Sequence, residues 1–117
     1  MRPWQQRGAK GRKREPGLNG LEKDFLADVL TPWLHSGEIL WHSEHEAIKL
    51  RLADNTYYSP DWFVMTPTGD LKAYEVKGGL FPEKNRIKTK VAAELFPFPI
   101  TICRRPRKRE PWQYEEI

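Results

Sequence analysis

Tyr57–Gly78, YYSPDWFVMTPTGDLKAYEVKG, reads as a β-hairpin with chemistry at its open end. The apolar run Trp62–Met65 and the alternating run Leu71–Lys77 flank Thr66-Pro67-Thr68-Gly69-Asp70, which has turn composition. Side chains alternate along a strand, so Glu75 and Lys77 share one face and Tyr74 and Val76 the other. A register pairing Asp61 with Glu75 or Lys77 brings two carboxylates and an ammonium together. That grouping suits a divalent cation and the water or phosphate beside it. A surface ion pair, worth about 0–1 kcal/mol, accounts for two of the three residues only. Pro60 lacks a backbone donor and favours an extended Ser59, as at a strand start. Gly78-Gly79 lets the chain turn sharply and a phosphate come close, or is an ordinary strand-to-helix loop.

On the N-terminal side, Asn19 can cap a helix from Gly20 to about Thr31, broken or kinked at Pro32. Leu18, Leu21, Phe25, Leu26 and Val29 define its apolar arc. Glu22 falls inside that arc, and Asp24 and Asp28 fall outside. A carboxylate on a buried face needs a partner. Asn19-x-x-Glu22 also matches a capping box, which turns Glu22 back to the helix start. Pro32–Ser36 finishes the helix, with Gly37 at C′. Glu38–His42 is a first strand. His42, Glu44, His45 and Glu46 read as an exposed turn, because two nearby histidines without further ligands do not make a zinc site. Ile48–Leu52 alternates as a half-buried strand, and Asp54-Asn55-Thr56 is the turn after it.

Beyond the hairpin, Glu83–Phe96 is a helix with Ile87, Val91 and Leu95 as its core stripe. Lys84 and Lys88 lie beside that stripe near its N-terminal end. They either reach a phosphate or snorkel over the core to water. Pro97-Phe98-Pro99 ends the helix, and Ile100–Cys103 is a short final strand.

Charge is unevenly spread over the 117 residues. Residues 1–14 hold six basic side chains and no acid, and Arg104–Arg109 holds five more. Residues 15–103, with nine basic and thirteen acidic side chains, carry −4. This divides the chain into a basic flexible arm (1–16), one domain (17–104) and a basic-then-acidic tail (105–117). Basic arms on an acidic body suit a polyanion, with Arg12, Lys13, Arg14, Arg105 and Arg107 as phosphate contacts. Such arms also serve solubility. No apolar run spans a bilayer, and the N-terminus lacks the apolar core of a secretory signal. Cys103 is the lone cysteine, which leaves no internal disulfide and no cysteine zinc cluster. A reducing, intracellular, cytoplasmic setting is expected, with no membrane partner.

Pro60-Asp61, thirteen residues, then Glu75-Val76-Lys77 resembles the PD-(D/E)XK nuclease superfamily, over about Leu18–Arg104, and most of all its small phage-borne members. The resemblance implies an α/β (α+β) fold with a restriction-endonuclease-like core: a mixed sheet flanked by helices, in the order α-β-β-β-α-β. It implies a metal-dependent endonuclease that hydrolyses phosphodiester bonds in DNA, leaving 5′-phosphate and 3′-hydroxyl ends. RNA stays open as a substrate. Asp61, Glu75 and the backbone carbonyl of Val76 would bind Mg²⁺, with Mn²⁺ able to substitute. Lys77 would position the attacking water or neutralise charge at phosphorus. Glu22 would hold a second metal or a water. Within the superfamily a junction resolvase is favoured, which implies a homodimer acting on branched DNA in a host cytoplasm. The alternatives are a non-catalytic nucleic-acid-binding protein on the same fold and a protein that binds a host factor.

Overall fold

The structure is a computed structural model describing residues 18–78 and 83–117, with side chains in the last segment described from residue 86. It is a mixed α+β fold around a five-stranded sheet of order β1-β4-β5-β6-β7. The strands are β1 (Trp41–His42), β4 (Trp62–Met65), β5 (Leu71–Lys77), β6 (Ile100–Arg104) and β7 (Gln113–Glu116). A separate hairpin joins β2 (Leu50–Ala53) to β3 (Thr56–Tyr58). Only β5 and β6 are parallel. Parallel neighbours need a crossover, and the helix α3 (Glu83–Leu95) provides it.

The first helical stretch comprises α1 (Gly20–Phe25), a π-helical turn (Leu26–Leu30) and α2 (Thr31–Ser36). Of the break or kink expected at Pro32, no break occurs, and the helix runs on to Ser36. Pro32 cannot donate to the carbonyl four residues back and would crowd it. The helix widens in the preceding turn, where the Thr31 N–H bonds the Leu26 carbonyl, and then continues. Gly37 closes it at φ 86°, a conformation glycine adopts without strain.

The sheet is covered on both faces, so Trp62, Phe63 and Val64 are buried in succession. Phe25, Val29, Leu30 and Ile39 pack on the face made by Trp62, Val64, Tyr74, Val76 and Cys103. Phe25 is the centre of an aromatic group, stacked on Trp62 at 5.7 Å and edge-on to Trp112 at 5.0 Å. On the other face, Phe63, Ala73 and Ile100 meet Leu50 and Tyr58 of the small hairpin and Ala92 of α3.

Four expectations are corrected here. The core stripe of α3 is not Ile87, Val91 and Leu95. Ile87 and Leu95 are 51% and 55% exposed, and Thr89 and Ala92 are the buried positions, with Ala93 and Phe96 partly buried. The helix turns its small residues inward, which lets it lie close to the β2–β3 hairpin. Residues 105–117 are not a tail, because β7 pairs antiparallel with β6 and extends the sheet. Arg105 is not a free phosphate contact. It is 8% exposed, lies over the Trp112 ring and pairs with Asp24 and Asp28. Asp24 on α1 and Asp28 in the π-helical turn therefore fasten the C-terminal segment. The first strand is also shorter than Glu38–His42, covering Trp41–His42 only. Among the described residues no helix is long and apolar enough to cross a membrane.

Candidate metal centre

The β4–β5 hairpin turns as its composition predicts. Gly69 takes φ 90°, and the Thr66 N–H donates to the Asp70 carbonyl at 2.8 Å. The register pairs Trp62 with Tyr74, so Asp61 stands opposite Glu75, one step past the last paired residues. Both carboxylates are buried, at 2% and 7% exposure. Two neighbouring acids removed from water resist ionisation. Burial, then the charge of Glu75, pushes Asp61 up to about 8, against the Val76 N–H that favours its charged form. Burial likewise raises Glu75, opposed by Lys77 and by the Tyr58 hydroxyl.

Asp61 uses its two oxygens differently. Oδ2 accepts the Val76 N–H at 2.7 Å, which ties the carboxylate to β5. Oδ1 faces the other way, 3.2 Å from His45 Nε2. The same imidazole nitrogen is 3.3 Å from Glu22 Oε1. These three ligand atoms lie within 4.8 Å of one another. The two readings of Glu22 prove compatible. The capping box forms, with the Glu22 N–H donating to Asn19 Oδ1 at 2.8 Å and the Asn19 N–H to Glu22 Oε1 at 3.1 Å. The oxygen that receives the cap also faces the site, so the cap fixes the carboxylate there. Leu21 beside it reaches Gly78, where a Cβ would stand 3.4 Å from its side chain.

Glu75 is held by other groups. The Tyr58 hydroxyl donates to Oε1 at 2.8 Å, and Lys77 Nζ lies 3.2 Å from Oε2. Tyr58, Glu75 and Lys77 line a cavity of about 340 Å³ with Glu46, Tyr57, Ser59, Lys88 and Thr89. Lys88 donates to the Tyr57 carbonyl at 3.2 Å, so α3 brings a second ammonium to the wall that holds Lys77. Arg107 is exposed and does not line this cavity. Arg12, Lys13, Arg14, Gly79 and the Lys84 side chain are outside the described residues.

His45 is the residue the sequence reading misplaced. It was expected in an exposed turn, and it is half-buried between two acids. No periodic signal marks it, because its position depends on how the loop folds back on β4. The Ser43 N–H donates to the Phe63 carbonyl at 2.8 Å, Ser43 Oγ accepts the Phe63 N–H at 3.0 Å, and the Glu46 N–H donates to the Asp61 carbonyl at 2.8 Å. Comparison of the chain with protein-family models, with curated proteins and with solved structures finds no match.

Proposed function

We propose that the protein is a metal-dependent nuclease that hydrolyses phosphodiester bonds, with DNA as its substrate and branched or junction DNA as the favoured form. The observation that supports this most is the buried pair Asp61 and Glu75, opposite each other across the hairpin with Lys77 beside them. Two desolvated carboxylates whose charged forms are disfavoured suit a hard divalent cation, which restores those forms and takes oxygen ligands. The element order also fits a restriction-endonuclease-like core. Helix, β1, β4, β5, α3 and β6 follow in sequence, with the β2–β3 hairpin inserted before β4.

In this reading Asp61, Glu75 and the Val76 carbonyl hold Mg²⁺ or Mn²⁺. When bound, the cation supplies Lewis acidity toward a phosphoryl oxygen and acidifies water. Asp61 is aligned by the Val76 N–H, and Tyr58 aligns Glu75 from the opposite side. Lys77, 3.2 Å from Glu75, carries the positive charge that opposes charge developing at phosphorus. Lys88 sits in the same cavity and suits a flanking phosphate.

The test is a cleavage panel with Mg²⁺ and Mn²⁺ on linear, nicked, flapped and four-way DNA, with single-stranded RNA alongside. Metal-dependent cutting, greatest on the four-way form, is the expected result. No cutting of any form, together with no rise in melting temperature on adding either metal, would overturn the reading.

A further inference from the structure

We infer that Glu22, His45 and Asp61 form a mixed nitrogen and oxygen site for a first-row transition cation of the Mn²⁺ class, with His45 Nε2 as a direct ligand. This rests on the nuclease reading for the use of the cation and on the geometry alone for its existence.

The three ligand atoms come from three separate elements, and each is held independently. Glu22 is fixed by its capping box at the start of α1. Asp61 is fixed through Oδ2 by the Val76 N–H, which leaves Oδ1 turned to the site. His45 is fixed by the loop hydrogen bonds around it and by the edge of its ring against Trp62, with centroids 5.2 Å apart. The next residue, Glu46, takes φ 52°, a left-handed conformation that a glutamate rarely adopts. Its N–H bond to the Asp61 carbonyl holds it there, so the loop keeps a costly shape that sets His45 against Asp61. A site held this way loses little freedom when an ion enters.

The spacing also favours a cation over a shared proton. A single N–H on Nε2 points at one oxygen, yet two oxygens stand at 3.2 and 3.3 Å from that atom. Adjacent ligands on an octahedral ion with bonds of about 2.2 Å stand about 3.1 Å apart. One ion placed among the three atoms engages all of them, with its remaining positions open to water or phosphate. Imidazole is a poorer ligand for Mg²⁺ and Ca²⁺ than for Mn²⁺ and the later metals of its row. The triad therefore favours Mn²⁺ over Mg²⁺, and Glu75, opposite Asp61 across the hairpin, would add an oxygen ligand beside it.

The experiment uses the full chain and the metal alone. Mn²⁺ binding is followed by electron spin-echo spectroscopy, which reads nitrogen directly bonded to the ion. The chain has three histidines, His35, His42 and His45. The double variant His35→Gln, His42→Gln is expected to keep the nitrogen coupling, and His45→Gln to lose it. His45→Gln is also expected to weaken Mn²⁺ by at least about tenfold, the scale on which even outer partners of a ligand act, and to leave Mg²⁺ nearly unchanged. Mn²⁺ bound without nitrogen coupling, or the same ratio of Mn²⁺ to Mg²⁺ affinity in His45→Gln as in wild type, overturns the inference and makes His45 a counter-ion for the two acids. If His45→Gln does not fold, the double variant decides by itself. Coupling without cleavage of any nucleic acid keeps this site and removes the nuclease reading. Cleavage equally fast with Mg²⁺ and Mn²⁺, with no coupling, does the reverse.

Discussion

Asp61 and Glu75 stand opposite each other across one β-ladder, and their surroundings differ in kind. Glu75 has a cation of its own, Lys77, and a phenol donor, Tyr58, so both of its oxygens are engaged by this chain. Asp61 has one backbone donor, and its other oxygen faces an imidazole and a second carboxylate. Glu75 belongs to a nearly complete ion pair, while Asp61 belongs to a cluster with an excess of negative charge. The difference separates an acid that a cation would share with Lys77 and Tyr58 from one whose outer oxygen faces only the imidazole and the second carboxylate. It also means that removing either charge should have opposite consequences for stability.

The largest effects test that contrast directly. Asp61→Asn and Glu75→Gln are each expected to reduce metal-dependent cleavage by about 10³-fold or more, the scale of lost transition-state electrostatics. Their melting temperatures in a chelator should diverge. Asp61→Asn should melt at or above wild type, most clearly above about pH 8, where the carboxyl ionises and the variant removes a charge from a buried acidic cluster. Glu75→Gln should melt below it, because the ion pair with Lys77 at 3.2 Å is lost. Equal and opposite changes from these expectations would mean that Asp61 is the structural ion-pair member. Next in size, Lys77→Met should lower cleavage by about 10²-fold while isothermal titration still shows metal bound. Loss of metal affinity in that variant would place Lys77 in the scaffold of the site.

The hairpin and the facing acids were legible because short-range rules govern both. Turn composition set the loop Thr66–Asp70, and alternation set which side chains pair. The capping box at Asn19 and Glu22 is equally local, and so is the C′ glycine at Gly37. What the sequence did not show depends on tertiary contact. His45 reaches Asp61 through loop hydrogen bonds that no periodic pattern announces. The phase of α3 is hidden from periodicity because its large aliphatic residues Ile87 and Leu95 lie outward, and the helix buries Thr89 and Ala92 to come close to the hairpin. Arg105 looked like part of a basic run, and only the packing of Trp112 on Phe25 brings it over α1 to Asp24 and Asp28.

A pH series sharpens the comparison on a scale of a few kcal/mol. The Asp61 carboxyl is pushed up to about 8 in the folded chain, against about 3.9 when unfolded. Between those values the native state holds a proton that the unfolded state has released. More protons on the native state means stability falls as pH rises, by at most about 1.4 kcal/mol per pH unit from this group. The contribution is complete below pH 4 and lost above pH 8. Urea unfolding in a chelator at pH 5, 6, 7 and 8 should therefore show wild type losing stability relative to Asp61→Asn. Saturating Mn²⁺ should remove the difference, because the ion favours the charged carboxylate that high pH supplies. A wild type that gains stability on Asp61→Asn across this range would show a carboxylate already satisfied without metal.

The smallest effect falls on the side of the site that the chain satisfies by itself. The Tyr58 hydroxyl donates to Glu75 Oε1 at 2.8 Å, and burial first, then the Glu75 charge, raises its pKa, so it stays a donor throughout the working range. Tyr58→Phe removes that donor and leaves Lys77 on Oε2. The expected cost is about 1–2 kcal/mol, the range for a buried acceptor that loses its partner. The charged form of Glu75 also loses support, so its carboxyl should titrate higher than in wild type. Cleavage at neutral pH should then fall less than about tenfold and recover as pH rises, since ionising Glu75 restores the carboxylate that the proposed reaction requires. Mn²⁺ bound at Glu22, His45 and Asp61 should keep its nitrogen coupling, because the Tyr58 hydroxyl bonds Glu75 and none of the three. Stopped-flow cleavage across pH, with denaturant melts alongside, measures both. If Tyr58→Phe instead matches Glu75→Gln in lost activity at every pH, the phenol acts on the substrate itself and the two sides of the hairpin are less separate than their contacts indicate.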